Sequence, residues 1–306
     1  MYTDYDVVII GSGCAGLAAG IYTGRAGLST AVMEKESMGG ELMSRQLVEN
    51  YPGFANGIMG PDLASAMLEQ ASNAGAEVKS GEVVEIKDKS GYKMIKTADE
   101  TVTCKGIIIA AGSHPRKLQV PGEDEFANKG VFYCATCDGV KCAGKDVAVA
   151  GAGDSGLTEA LYLERLGCKV TVLELMPQPK ASKVLIDRIG ANPNIEIKCG
   201  VRIESVAGDE WVTGIHLQDP DTGVKDYLTA GGIYVRIGLI PNTQFLQDIL
   251  TLSPGGQIPV NEHMETAIPG IFAAGDVRLN SPAQMAAAVG DGVTAAMALG
   301  RYIASL

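Results

Sequence analysis

The chain has 306 residues, of which 46% are hydrophobic and 39 are glycine, enough for two domains that each bury a core. Its net charge of −11 argues against nucleic acid and anionic membranes as partners, because phosphate binding needs clustered Lys and Arg. The acidic surface is interpreted as a source of solubility, or else as a means of selecting partners with basic patches. Apolar runs such as Val7–Ile10 and Ile107–Ala111 are too short to span a bilayer.

The start of the chain is acidic and carries no signal-peptide pattern, so we expect a cytoplasmic protein. Seven cysteines are an odd number, and Cys134 and Cys137 alone are spaced like a redox pair. Mostly reduced thiols are the simplest account of the remaining cysteines.

A βαβ unit opens the chain. Asp6 to Ile10 predicts a strand, Gly11-Ser-Gly-Cys-Ala-Gly16 follows it, and a helix is predicted to about Arg25. Leu28 to Met33 predicts a second strand, which ends at Glu34. This arrangement is typical of a dinucleotide site with an acidic residue at the ribose.

The glycines of this first loop have separate steric roles. Gly11 allows the tight turn, Gly13 lets a pyrophosphate approach the backbone, and Gly16 lets helix and strand pack closely. The helix N-terminus offers free N–H groups to the phosphates, and Glu34 is expected to accept ribose hydrogen bonds. A glycine-rich turn without a ligand is the alternative. Cys14 is interpreted as a small apolar filler.

The same pattern recurs in the second half of the chain. Val147 to Ala150 predicts a strand, Gly151-Ala-Gly-Asp-Ser-Gly156 a turn, and a helix is predicted to about Leu166. Lys169 to Leu173 predicts the next strand, which ends at Glu174. One such fingerprint is weak, but two with matching spacing to the acidic residue are specific.

The remaining segments divide the chain into a discontinuous first domain, residues 1–115 and 244–306, with a second domain inserted at 116–243. The other predicted features, in chain order, are a β-meander over 77–103, a buried strand over 107–112, linkers at 113–116 and 240–243, a strand and turn over 270–276, and an Ala-rich helix over 283–303.

The dithiol segment Cys134-Ala-Thr-Cys137 is followed at once by Asp138. Two sulfurs at this spacing close a small strained ring, and a helix N-terminus would lower one thiol pKa so that a thiolate is available for disulfide exchange. The alternative is a zinc site that includes Cys142, but no fourth ligand lies at finger-like spacing and His114 is remote.

These motifs resemble one family over nearly the whole chain, the low-molecular-weight thioredoxin reductases. The strings that carry the resemblance are GSGCAG at 11–16, Gly39-Gly40 with Leu42, VENYPGF at 48–54, AAG at 110–112, CATCDG at 134–139, GAGDS at 151–155 and Gly275-Asp276. The resemblance implies an α/β fold of two Rossmann-like three-layer ββα/βαβ nucleotide-binding domains, the second inserted in the first.

The resemblance also implies the cofactors and their residues. FAD would occupy the first domain, held by Gly11, Gly13, Cys14, Ala15, Gly16, Glu34, Gly40, Glu41, Leu42, Asn50, Val83, Ala111, Gly112, Gly275, Asp276, Gln284 and Met285. A nicotinamide dinucleotide would be held by Gly151, Gly153, Asp154, Ser155 and Glu174.

In such proteins electrons pass from nicotinamide to flavin, then to the dithiol, then to thioredoxin or a similar protein. The resemblance implies that Cys137 faces the flavin, Cys134 attacks the partner disulfide, and Asp138 moves the proton of the departing thiolate. It further implies a homodimer, and rotation of the second domain about hinges at 112–117 and 240–243.

The second nucleotide site departs from NADPH-dependent relatives. Those carry His-Arg-Arg after the second strand and another Arg four residues on, whereas this chain reads Glu174-Leu-Met with only Lys180 nearby. A carboxylate suits two ribose hydroxyls and repels a 2′-phosphate, so we expect NADH to be preferred to NADPH. Gly156, where NADP users often carry Ala, agrees. Ala283 replaces a usual Arg, and Glu41 a usual Gln.

Three alternatives remain open at this point. The missing arginines also fit a flavoprotein that takes electrons from ferredoxin or another donor. A small-molecule dithiol oxidase would use the same flavin and dithiol in reverse, and a nucleotide-responsive binding protein with a structural metal would be no enzyme. His216, His263, Cys104, Cys168 and Cys199 are interpreted as structural residues.

Overall fold

The structure is a computed structural model that describes residues 2–45, 47–48, 50–246 and 248–306, with the side chains of Leu47 and Cys137 outside that description. The described residues form two compact units. One contains the chain up to His114 together with Ile240–Leu306, and the other is Pro115–Leu239.

The strands and helices follow the order expected of two nucleotide-binding folds. In chain order the strands are β1 Tyr5–Ile10, β2 Thr30–Glu34, β3 Leu47–Val48, β4 Ile58–Met59, β5 Ala76–Ser80, β6 Val83–Lys89, β7 Tyr92–Thr97, β8 Thr101–Ile109, β9 Ser113–Pro115, β10 Val131–Phe132, β11 Asp146–Ala150, β12 Lys169–Glu174, β13 Ile195–Cys199, β14 Arg202–Gly208, β15 Val212–Gln218, β16 Lys225–Thr229, β17 Ile233–Val235, β18 Leu239–Pro241 and β19 Ile271–Ala273.

The helices alternate with these strands in the manner of α/β proteins. The α-helices are α1 Cys14–Arg25, α2 Gly60–Asn73, α3 Ala135–Asp138, α4 Asp154–Arg165, α5 Lys183–Gly190 and α6 Met285–Ala304, and short 3₁₀ helices span Gly40–Ser44, Gly139–Cys142, Gln244–Leu246 and Gly275–Val277.

The first unit is a three-layer sandwich around a mixed sheet in the order β5-β2-β1-β8-β7-β6, with β19 also paired to β8. Strands β5, β2, β1, β8 and β19 are parallel, whereas β6, β7 and β8 pair in antiparallel fashion. One face packs on α1, α2 and α6. On the other face, residues of β1, β2, β8 and β19 form a core with residues of β6 and β7 and of the loop after β18. Both faces of β1 are therefore buried, as expected for a central parallel strand.

The second unit repeats this plan with a parallel sheet in the order β10-β17-β11-β12-β13. Helices α4 and α5 cover one face through residues such as Leu157, Leu163 and Ile189. The antiparallel sheet β14-β15-β16 covers the other face through Val206 and Ile215. The chain is thus an α/β protein with two Rossmann-like domains, the second inserted in the first.

Strands β9 and β18, in the two connections between the units, pair with each other. The unit boundaries lie after His114 and Leu239, whereas the sequence placed them after residues 115 and 243. Residues 240–243 stay with the first unit because Asn242 binds its backbone. The Asn242 side chain donates to the Ala111 carbonyl at 2.8 Å, and its N–H donates to the Gly112 carbonyl at 3.0 Å.

Two predicted elements differ from the observed ones. The segment Ala76–Ser80 lies parallel to β2 at the sheet edge, so the meander begins only at Val83. The buried strand predicted at 107–112 is the second half of β8, which pairs with β7 through residues 101–104 and with β1 through residues 104–109. The first half of β8 alternates apolar and polar residues, whereas residues 107–109 are all apolar. The two patterns therefore predicted two separate strands where the structure has one.

None of the described helices is both long enough and apolar enough to cross a membrane.

Candidate active site

The first glycine loop connects β1 to α1 and is shaped by steric need. Gly11 has a φ of +101°, and a Cβ on it would meet the carbonyl oxygen of Ala110. A Cβ on Gly16 would meet the carbonyl oxygen of Gly11, so helix and strand pack closely there. Around Gly13, by contrast, no atom of the described residues beyond the adjoining backbone lies within 4 Å of where a Cβ would stand. The loop therefore leaves open space at the position where a pyrophosphate approaches in such sites.

Glu34, at the end of β2, holds this loop in shape. Its Oε2 accepts hydrogen bonds from the Ser12 N–H and hydroxyl, both at 2.8 Å, and its Oε1 accepts the Glu36 N–H at 3.1 Å. The Ser12 hydroxyl in turn accepts the Gly39 N–H at 2.9 Å. A carboxylate accepts about four hydrogen bonds, so the contacts among the described residues leave Glu34 one acceptor position, on Oε1, that could take a ribose hydroxyl.

The second glycine loop, between β11 and α4, has the same geometry. Gly151 has a φ of +104°, and a Cβ on it would meet the carbonyl oxygen of Arg236. A Cβ on Gly156 would meet the Gly151 carbonyl, while the space around Gly153 is open to 4 Å. Asp154 and Ser155 form the exposed first turn of α4, whose N–H groups face the loop end of the helix.

Among the described contacts, Glu174 accepts fewer hydrogen bonds at the second loop than Glu34 accepts at the first. Its Oε2 accepts the Ala152 N–H at 2.8 Å, and its Oε1 accepts the Met176 N–H at 2.9 Å. Position 152 has no hydroxyl, so each Glu174 oxygen keeps one acceptor position among the described contacts. This carboxylate can take two neighbouring ribose hydroxyls at once.

The segment after Glu174 is fastened to the second loop by its backbone. The Lys180 N–H donates to the Ala152 carbonyl at 3.1 Å, and the Ser182 N–H donates to the Asp154 carboxylate at 2.5 Å. Leu175 and Met176 are exposed, at 52% and 43% of their surface. Two exposed apolar side chains thus directly follow Glu174.

Most of the residues expected around FAD come together in the first unit. A Cβ on Gly40 would lie 3.2 Å from the Gly13 Cα, and one on Gly275 would lie 3.0 Å from the Ala15 Cβ. Asn50 donates to the Gln284 side-chain oxygen at 3.1 Å. Leu42 is buried, and Ala111 and Gly112 accept the hydrogen bonds from Asn242. Met285 begins α6, and Val83 of β6 lies in the second core of this unit. Of the VENYPGF motif, Glu49 lies outside the described residues.

The acidic residues of this region influence one another. Burial raises the pKa of Asp276 above its ordinary value, and the charges of Glu41 and Asp291 raise it further. A hydrogen bond from the Ser281 hydroxyl, at 3.3 Å, acts in the opposite direction. Glu41 itself pairs with Arg45 at 3.1 Å.

Cys14, inside the first loop, is a buried thiol. Burial, together with the charge of Asp276, raises its pKa to about 12. A thiol with this pKa is almost entirely protonated at neutral pH, which fits the expected role of Cys14 as an apolar filler. Cys104 is similar, because burial raises its pKa to about 12 as well.

The dithiol segment lies in the second unit, where Cys134 precedes α3 in an extended conformation. Cys134 is disulfide-bonded, and its Sγ lies 3.2 Å from the Thr136 hydroxyl. The side chain of Cys137 lies outside the described part of the chain. Asp138 is paired with Lys141 at 2.7 Å and is partly exposed. Elsewhere the described thiols are free, namely those of Cys14, Cys104, Cys142, Cys168 and Cys199.

Two buried charges beside the dithiol were missed by the sequence analysis. Glu159 of α4 and Arg236, just after β17, are 3.2 Å apart from Oε1 to Nε. Glu159 also accepts the Ala135 N–H at 3.2 Å, and Arg236 donates to the Tyr133 carbonyl at 2.9 Å. The available signal was an acidic residue on the apolar face of α4 and a basic residue at the end of an apolar strand.

A third buried charged residue, Glu123, was missed as well. It accepts the N–H groups of Leu118 and Gln119, at 2.8 and 2.6 Å, and the Tyr133 hydroxyl at 2.8 Å. It thereby ties the start of the second unit to the residue before Cys134. No group of three or more potential metal ligands occurs among the residues that the structure describes.

Comparison with known proteins places this architecture. Residues 5–292 match the family model for pyridine nucleotide-disulphide oxidoreductases. The thioredoxin reductase of Bacillus subtilis (strain 168) is 37% identical over 303 residues, which cover 99% of this chain and 96% of the relative. That of Treponema pallidum (strain Nichols) is 39% identical over 306 residues, 100% of this chain and 99% of the relative.

A solved structure agrees with these relatives. The thioredoxin reductase of Lactococcus lactis, in its FR conformation, superimposes with a TM-score of 0.90 at 38% identity and covers 99% of this chain and 100% of its own. The chain therefore belongs to the pyridine nucleotide-disulphide oxidoreductases and, within them, to the thioredoxin reductases. The family resemblance and the fold expected from the sequence are confirmed.

Proposed function

We propose that this chain is an FAD-dependent thioredoxin-disulfide reductase that draws electrons from NADH and delivers them through Cys134 and Cys137 to thioredoxin or a similar protein. The observation that carries the proposal is the combination, in one chain, of two equivalent open glycine loops and a disulfide-bonded Cys134. When bound, FAD would accept hydride from the nicotinamide and supply two electrons to the disulfide.

The first unit suits FAD by its own geometry. Open space at Gly13, the remaining acceptor position on Glu34 and the half-buried Asp276 offer a phosphate cradle, a ribose acceptor and a carboxylate for the ribityl hydroxyls. Gly40, Gly275 and the Asn50–Gln284 pair border the same loop.

The residues of the dithiol segment would divide the exchange chemistry between them. In the proposed reaction, the Cys134 thiolate attacks the partner disulfide and forms a mixed disulfide, which Cys137 then resolves. Asp138, next to Cys137 in the chain, would hold and return the proton of the departing thiol. The Lys141 ion pair, at 2.7 Å, would keep that carboxylate in place between turnovers.

The preference for NADH rests on charge at the adenosine ribose. A 2′-phosphate about 4 Å from the Glu174 carboxylate would cost roughly 4 kcal/mol at an effective dielectric of about 20. Each absent arginine also forgoes a charge-assisted hydrogen bond of about 1.5–3 kcal/mol. Solvent screening reduces both effects, and we expect a preference of at least about tenfold.

The ferredoxin alternative rests on the same missing arginines. It does not account for the second loop, where Gly153 remains open and Glu174 keeps an acceptor position on each oxygen. A domain without a nucleotide would have no physical use for either feature. We therefore favour NADH as the electron donor.

Anaerobic titration of the flavoprotein tests this proposal. NADH should bleach the flavin absorbance at lower concentration than NADPH, and reduced ferredoxin should act no faster than free reductant. Bleaching by NADPH at least as readily as by NADH would refute the cofactor assignment. Bleaching by ferredoxin alone would establish the alternative. Peroxide production from small dithiols without nicotinamide would instead indicate a dithiol oxidase.

A cytoplasmic homodimer completes the proposal, and its support is the resemblance to thioredoxin reductases together with the net charge of −11. Light scattering of the purified protein should give about twice the chain mass of 31.8 kDa. A monomer at micromolar concentration would remove this part of the proposal.

A further inference from the structure

A buried ion pair lies directly behind the dithiol segment. The Glu159 and Arg236 side chains are only 7% and 13% exposed, and the shortest distance between their charged groups is 3.2 Å. The Arg236 Nε makes no hydrogen bond among the described residues, so its attraction to Glu159 is ionic. Burying two charges is costly, and a pair of apolar residues would fill the same space as stably. Its position suggests a role beyond packing.

The two members of the pair hold the backbone on either side of Cys134. Arg236 Nη1 donates to the carbonyl of Tyr133, in the peptide that precedes Cys134. Glu159 Oε2 accepts the N–H of Ala135, in the peptide that follows Cys134. The Tyr133 hydroxyl, bound to Glu123 at 2.8 Å, fixes the same segment from a third direction.

The pair also faces the second nucleotide loop. Glu159 belongs to α4, which begins at that loop, and the Arg236 N–H donates to the carbonyl of Ala150, the residue before Gly151. Among the described residues, polar groups near the dithiol also include the Thr136 hydroxyl, 3.2 Å from the Cys134 Sγ, and Asp138, which pairs with Lys141. The Tyr234 hydroxyl donates to the Asp138 carbonyl at 3.4 Å. Glu159 and Arg236 are thus the opposed charges that hold the Cys134 backbone itself.

We propose that Glu159 and Arg236 are positioning residues for the dithiol, which fix the two peptides around Cys134 and set, by their opposed charges, how readily its disulfide is reduced. This inference rests on the proposed function of that dithiol. Reduction of a disulfide takes up two electrons and at least one proton, and leaves one thiolate and one thiol, or two thiols. A nearby positive charge favours the reduced form with its thiolate, and a nearby negative charge disfavours it.

The two single substitutions are therefore expected to act in opposite directions. Glu159→Gln leaves the Arg236 charge unbalanced and should make the dithiol easier to reduce. Arg236→Met leaves the Glu159 charge unbalanced and should make it harder to reduce. The double variant, with neither charge, should lie close to the wild type, and Arg236→Lys, which keeps the charge, should stay within about twofold of it.

The measurement is the equilibrium of the holoprotein dithiol with glutathione at pH 7 under anaerobic conditions, in which two glutathiones reduce the disulfide and leave one glutathione disulfide. Thiol trapping and mass analysis of the peptide containing residues 134–137 give the reduced fraction. We expect shifts in the equilibrium constant of at least about threefold, in opposite directions, for the two single variants. Asp187→Asn, which breaks the exposed Lys183–Asp187 pair, is the matched control and should not move it.

The inference would be overturned if both single variants shifted the equilibrium constant in the same direction, or if the shifts were smaller than twofold. A pair with only a structural role would lower the stability of the fold without shifting the constant in opposite directions. If one single variant fails to fold, the other single variant and the double variant still give the sign. Failure of the proposed function is distinguishable, since the wild-type dithiol would then not be reduced when NADH is added.

Discussion

The carboxyl group of Asp276 stands where burial and two neighbouring acids oppose its ionisation. Its pKa is raised above the ordinary 3.8, first by burial and then by the charges of Glu41 and Asp291. A carboxyl so placed is held in the folded state at a cost in stability. Hydroxyl groups of a flavin side chain are the proposed ligands of this carboxyl group, and hydrogen bonds to them would offset the cost.

The variant Asp276→Asn is expected to stabilise the FAD-free protein and to weaken FAD binding. Because the folded pKa is raised, ionisation of Asp276 destabilises the fold as pH rises from 3.8 through the folded pKa. The gain in the variant should thus be absent below 3.8 and constant above the folded value. At pH 7 we expect the melting temperature to rise by roughly 2–4 °C for each kcal/mol gained in the free energy of unfolding. We expect FAD to be released about fivefold faster.

Ser281→Ala is the matched control for that experiment. It removes the hydrogen bond to Asp276 but keeps the charge, so the FAD-free protein should lose stability at pH 7. A melting temperature that falls in Asp276→Asn at pH 7 would contradict the electrostatic account.

In the proposed account, the exposed side chains of Leu175 and Met176 control the choice between NADH and NADPH. Introducing Leu175→Arg and Met176→Arg supplies two exposed guanidinium groups beside Glu174 and leaves its hydrogen bonds to the loop intact. We expect kcat/KM for NADPH to rise at least about tenfold, from one or two charge-assisted hydrogen bonds of about 1.5–3 kcal/mol each.

Steady-state kinetics with both nucleotides gives the result. Val224→Arg, which adds the same charge at an exposed position after β15, should leave the NADH-to-NADPH ratio unchanged. An equal gain in that control would mean that overall charge, and not the ribose site, controls the choice of nucleotide.

At the scale of elements, each glycine loop contains one glycine that the fold needs and one that the proposed dinucleotide would need. Gly151 has a φ of +104° and no room for a Cβ, whereas Gly153 has open space. Gly151→Ala should therefore destabilise the protein by about 1–3 kcal/mol. Gly153→Ala should leave the melting temperature unchanged and raise KM for NADH at least about tenfold.

Thermal unfolding and NADH kinetics of this pair separate the two roles. The corresponding variants Gly11→Ala and Gly13→Ala should repeat the pattern in the first unit, with FAD retention as the measurement. A Gly153→Ala variant that binds NADH normally would place the pyrophosphate elsewhere.

The sequence predicted the loops well because their signals are local. In each copy of the motif, a strand, the glycines, a helix and a second strand ending in an acidic residue follow one another within a short stretch of sequence. The presence of two copies strengthens the prediction for each. The sequence could not separate β5 from the meander, because both alternate apolar and polar residues and only strand pairing distinguishes them. Cys168, which the sequence analysis interprets as a structural residue, is buried just before β12.

At the scale of the whole molecule, the sequence could not predict contacts between segments that are distant in the chain. Glu159 and Arg236 lie far apart in the chain and meet only because α4 and β17 pack in one unit. Arg278 and Asp291 are only 13 residues apart, but their bidentate pair, at 2.6 and 3.0 Å, likewise depends on packing, and Asp291 also accepts the Gly275 N–H at 3.1 Å. Pattern alone marks such residues only as charges in apolar surroundings.

The account depends on electrons leaving the flavin through one pair of sulfurs. The most direct measurement is the rate of NADH-dependent thioredoxin reduction by Cys134→Ser and Cys137→Ser, with Cys199→Ser, a free thiol in β13, as control. Both dithiol variants should lose at least about 10³-fold in kcat while NADH still bleaches their flavin, and the control should match the wild type. Undiminished thioredoxin reduction by either dithiol variant would contradict the account.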